Sequence, residues 1–68
     1  MTKQERDIEA PIVLAKIRAL GFKPYVRGDW IIYSPKIPNK LLMRALAVPY
    51  EMFNLLRESQ DGKPTSTN

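Results

Sequence analysis

Lys23, Tyr25, Arg27, Trp30 and Ile32 place two cations, two aromatic rings and one aliphatic side chain within ten residues. That grouping suits recognition rather than catalysis. An ammonium and a guanidinium meet carboxylates or phosphates through charge-assisted hydrogen bonds, and the rings supply large apolar contact area. Residues fit for bond-breaking chemistry are scarce by comparison. The chain has no cysteine and no histidine, which removes thiolate ligands, disulfides, the commonest general base and the commonest metal ligand. Glu51 and Glu58 stand singly, with no nucleophile–base pair and no glycine-rich phosphate loop. The expectation is a protein with no catalytic residues, no metal site and no cofactor, hence not an enzyme.

The basic-aromatic residues need a frame, and the stretch Phe22 to Ser34 writes one as two short β-type runs around Gly28-Asp29. A two-residue turn beginning with glycine selects a primed hairpin geometry. It sets the register Arg27 opposite Trp30, Val26 opposite Ile31, Tyr25 opposite Ile32 and Pro24 opposite Tyr33. The pleat then sorts the side chains into two faces. Pro24, Val26, Ile31 and Tyr33 form an uncharged face suited to a core. Lys23, Tyr25, Arg27, Trp30, Ile32 and Ser34 form the other, whose mix of cations, rings and an aliphatic suits an interaction surface. Pro24 lacks an N–H and marks an edge position. Arg27-Gly28-Asp29 also spells an integrin-type tripeptide, but its simplest role is the turn itself.

Two strands alone are marginal in water, so helices must complete the unit. The spacing of Val13, Ile17 and Leu20, with Leu14, predicts a helix from Ala10 or Pro11 to Leu20, with Pro11 in its opening turn and Gly21 as a left-handed cap. Residues 1–9 read as a flexible, polar N-terminus, although Thr2 and Glu5 have capping-box spacing. After Pro35 and Pro38, Asn39 is expected to cap a helix from Lys40 to Ala47 with Leu42, Ala45 and Leu46 inward. Pro49 restarts a helix to about Glu58, with Glu51 in its first turn, Arg57 in its last, and Met52, Phe53, Leu55 and Leu56 as core. Residues 10–58 thus form one α+β module of order α-β-β-α-α with a single two-stranded antiparallel hairpin. Residues 59–68 are a polar tail expected to be disordered.

Size and charge narrow the partners. A 68-residue chain has little core to spare, and dimerisation would relieve that. The net charge is +4, but between Leu14 and Arg44 seven cations face only Asp29, a local +6. Such a field attracts acidic peptides or phosphates. No signal peptide or membrane-spanning run is written in the sequence, so a cytoplasmic protein without a membrane partner is expected.

From Ile12 to Glu58 the chain resembles the N-terminal docking domains of TubC-type nonribosomal-peptide and polyketide synthetases. The carriers are Leu14, Ile17, Arg18, Ala19 and Gly21, then Val26-x-Gly28-Asp29 with Tyr33, then Pro35-Lys36. Leu41 and the closing Glu51-Met52-Phe53-Asn54-Leu55-Leu56-Arg57 continue the match. The resemblance implies a small α-β-β-α-α fold that dimerises and captures an acidic, extended peptide on its hairpin, here in a free-standing protein or an excised module. Carried onto this chain, the peptide-binding positions are Lys23, Tyr25, Arg27, Trp30 and Ile32. The expected function is a non-enzymatic protein–protein docking module, homodimeric, holding an acidic or extended protein segment. The alternative is a small basic nucleic-acid-binding or regulatory protein, such as a mobile element encodes, in which the same rings stack on bases and the cations meet phosphates.

Overall fold

The computed structural model describes residues 1–33 and 35–61. Helix α1 spans Lys3–Ala19, strand β1 Tyr25–Arg27, strand β2 Trp30–Ile32, helix α2 Asn39–Leu46 and helix α3 Pro49–Asp61. The order is the expected α-β-β-α-α, and the two strands form one antiparallel hairpin. Helix α1 packs against both α2 and α3, and α3 in turn lies along β1.

Helix α1 is longer than its apolar spacing implied, starting at Lys3 rather than at Ala10 or Pro11. Its N-terminus carries the full capping box: Thr2 Oγ1 accepts from the Glu5 N–H at 3.1 Å, and Glu5 Oε1 accepts from the Thr2 N–H at 2.8 Å. Pro11 therefore sits mid-helix, where its missing N–H and ring cost a normal helix about 3 kcal/mol. Contacts with distant helices hold the turns before it. Arg6 Nε donates to Glu51 Oε2 at 3.4 Å on α3, and Arg44 Nε on α2 donates to Glu9 Oε2. At the other end Gly21 adopts φ +96°. The Gly21 N–H reaches the Arg18 carbonyl at 2.9 Å and the Phe22 N–H the Ile17 carbonyl at 3.3 Å, the bond pair of a Schellman cap.

The remaining helices depart by small steps from the sequence expectation. Asn39 is the first residue of α2, not its cap; Pro38 occupies the cap position and offers no side-chain hydrogen bond. Leu46 turns outward and is exposed, whereas Leu41 and Leu42 pack partly against the core. Helix α3 continues to Asp61, so Arg57 lies a turn before its end. The expected disordered tail begins inside α3 at Ser59, and its stretch 62–68 lies outside the described residues.

The core consists of Ala10, Val13, Leu14 and Ile17 from α1, Ile37 from the connector, Ala45 from α2, Val48 between the helices, and Met52 and Leu56 from α3. Ile37 and Val48 sit beside prolines in sequence, where no helical period signals burial. Phe22, Val26, Ile31, Tyr33, Leu41, Leu42 and Leu55 cover this core from its rim. Pro24 precedes β1 rather than belonging to it, and it is buried.

Candidate functional site

Backbone chemistry at the turn positions the hairpin face. Gly28 has φ +63°, and no residue other than glycine has positive φ among the described residues. Positive φ at the first central position and negative at the second is the sign pattern of a type II′ turn, whose twist matches that of the flanking strands. The ladder pairs Tyr25 with Ile32, Val26 with Ile31 and Arg27 with Trp30, the register read from the sequence.

That register separates the two faces as expected. Val26, Ile31 and Tyr33 pack against the core, while Tyr25, Arg27 and Trp30 are exposed. Trp30 is 76% accessible and Tyr25 45%, a large amount of ring to leave in water in so small a domain. Ile32 is half-buried, and Lys23, just before β1, is exposed. The structure therefore brings Tyr25, Arg27, Trp30 and Ile32 together on one face of the hairpin, with Lys23 beside it. Ser34, assigned to the same face, lies outside the described residues.

Cations elsewhere are partly committed. Arg44 is paired with Glu9, and that hydrogen bond holds the Glu9 carboxyl below its ordinary range and raises the Arg44 guanidinium. Arg18 Nη2 donates to Ser59 Oγ at 2.9 Å. Lys23 and Arg27 make no ion pair among the described residues and are the cations available at the hairpin, beside the exposed carboxylate of Asp29 in its turn.

A residue that sequence reading assigned to the tail joins the site. The Val26 N–H donates to Gln60 Oε1 at 2.8 Å, and Gln60 Nε2 donates to the Val26 carbonyl at 2.9 Å. Nothing local announces this contact, because 34 residues separate the two partners. A hollow of about 440 Å³ lies beside it, lined by Arg18, Phe22, Lys23, Pro24, Tyr25 and Leu56 among others. A second, of about 420 Å³, is lined by Val26, Gly28, Asp29, Phe53, Arg57 and Gln60. Among the described residues no cluster of acidic side chains is grouped to hold a metal ion, and no helix is long and apolar enough to cross a membrane.

Helix α1 carries a second unpartnered surface. Ile8, Ile12, Ala15 and Ala19 recur at spacings of four, three and four on the side opposite the core residues Ala10, Val13, Leu14 and Ile17, and all four are exposed. Ile8 falls in the polar stretch 1–9, and without it the stripe reduces in the sequence to one isoleucine and two alanines. Comparison with protein-family models, curated proteins and solved structures finds no match to this chain.

Proposed function

We propose that the protein is a non-enzymatic docking module that holds an acidic, extended segment of a partner protein against its hairpin. The observation that carries this reading is the exposed Trp30 opposite Arg27, on a hairpin whose β2 edge, among the described residues, no helix covers as α3 covers β1. A segment added to β2 would gain backbone hydrogen bonds. Its outward side chains would lie beside Trp30 and Ile32, and its carboxylates within reach of Arg27 and Lys23. The resemblance of Ile12–Glu58 to TubC-type docking domains supports the same reading.

Self-association completes the proposal, and the outer stripe of α1 supports it. Two copies packed antiparallel along the stripe set Ile8 against Ala19 and Ile12 against Ala15, so large residues meet small ones and the helix separation stays even. Parallel packing would set isoleucine on isoleucine and alanine on alanine. The antiparallel arrangement also brings Lys16 of one copy toward Glu9 of the other.

The test uses Trp30, the single tryptophan, as its own fluorescent probe. An eight-residue peptide of alternating Glu and Val should bind wild type and bind Arg27→Glu and Trp30→Ala at least about tenfold more weakly, the second followed by calorimetry. Equal affinity in all three proteins defeats the docking reading. Titration of a DNA oligonucleotide across a salt series separates the nucleic-acid alternative, for which log K must fall with log salt as counterions are released.

A further inference from the structure

In a two-residue hairpin the residues flanking the turn exchange both backbone hydrogen bonds, so the next pair aims its N–H and C=O groups away from the sheet. Here that pair is Val26 and Ile31. The two outer edges thus start out chemically alike. On β1, however, the Gln60 amide both accepts from the Val26 N–H and donates to its carbonyl, at 2.8 and 2.9 Å. A primary amide presents a donor and an acceptor much as a peptide group does, so Gln60 supplies one residue's worth of a third strand. On β2 no described residue hydrogen-bonds the outward groups of Ile31.

The arrangement around Gln60 fits a plug. It lies in the last turns of α3, next to Ser59, which Arg18 holds to the end of α1. Gln60 lines both hollows beside β1, standing between the one at Lys23, Pro24 and Tyr25 and the one at Gly28 and Asp29. Gln60 is the α3 side chain that reaches the outward backbone groups of Val26, so without its amide α3 still flanks β1 but leaves those groups unpaired.

We infer that Gln60 is a specificity-determining residue, whose side-chain amide closes β1 to strand addition and so directs an extended partner segment to β2. Covering one edge is a common protection of a sheet against unwanted pairing. Covering only one also sets the place and direction in which a partner adds. The choice of partner rests on the docking reading above; the closure of β1 does not.

Amide exchange in the full chain tests the closure without any peptide. In wild type the Val26 N–H should exchange about tenfold or more slowly than the Ile31 N–H, although both point out of the sheet. Gln60→Met, which keeps the length and loses both hydrogen bonds, should bring Val26 to the Ile31 rate while the Val13 and Ile17 amides stay protected and report an intact fold. Gln60→Glu, which keeps the acceptor alone, should fall between. Equal exchange at Val26 and Ile31 in wild type overturns the inference.

The second arm follows backbone resonances during titration with the alternating Glu–Val peptide. Wild type should respond at Ile31 and not at Val26, whereas Gln60→Met should respond at both and take up a second peptide. A wild-type response at Val26, or a Gln60→Met protein that still uses β2 alone, overturns the edge selection. No response in either protein, with the exchange contrast intact, counts against the docking reading and leaves the closure of β1 standing.

Discussion

Tyr33 reaches the core rim with its ring, but its hydroxyl is buried with no hydrogen-bond partner among the described residues, and burial pushes its pKa up. An unpaired buried hydroxyl costs stability that a phenylalanine would not. Tyr33→Phe should therefore be neutral or stabilising by up to about 1 kcal/mol, read as an unchanged or raised midpoint in thermal unfolding. Gly21 presents the opposite case. At φ +96° a Cβ would meet no atom within 4 Å, so the cost of Gly21→Ala is purely conformational, about 1 kcal/mol. Denaturant titration should show that loss with no change in the slope that reports surface exposure. The role of Gly21 was legible in the sequence because a glycine after an apolar helical run has few alternatives. Tyr33 showed only its face, since hydroxyl satisfaction depends on neighbours distant in the chain.

Helix α1 is the element whose extent depends most on others. Propensity and period placed its start near Pro11, because a proline usually opens a helix and the residues before it are polar. The capping box, the Arg6–Glu51 pair and the Arg44–Glu9 pair instead hold two further turns on the near side of Pro11. Glu9 has its folded pKa depressed by the Arg44 hydrogen bond, so its contribution is fully present above the unfolded value of 4.5 and is lost as pH falls through the lower folded value. Wild type should accordingly lose stability on acidification through this range, while Glu9→Gln, less stable at neutral pH, should lose less. Thermal unfolding of both proteins at neutral and acid pH measures the convergence. Identical pH profiles would show that the pair does not hold the helix.

Among the described residues Met43, Leu46 and Tyr50 stand exposed, as do the Trp30 face of the hairpin and the outer stripe of α1, and the last two surfaces point to different associations. Ile12→Glu should shift the protein toward monomer in sedimentation velocity without unfolding it, because Ile12 is exposed and lies opposite the core. Trp30→Ala should leave the sedimentation coefficient unchanged and affect peptide binding alone. A monomeric wild type at high concentration would remove the antiparallel pairing. Sequence alone determined the order of elements, the hairpin register and the separation of its faces, since turn chemistry and a period of two act between residues a few positions apart. Of the candidate site, Lys23, Tyr25, Arg27, Trp30 and Ile32 were readable by the same rule. Tertiary structure alone decided how far α1 extends before Pro11, that Leu46 faces out while Ile37 and Val48 face in, and which hairpin edge is closed. The extent of α1 and the closed edge rest on groups brought together across the chain, Arg6 with Glu51, Arg44 with Glu9 and Val26 with Gln60, and the burial of Ile37 and Val48 rests on the shared core; no local pattern encodes partners that far away.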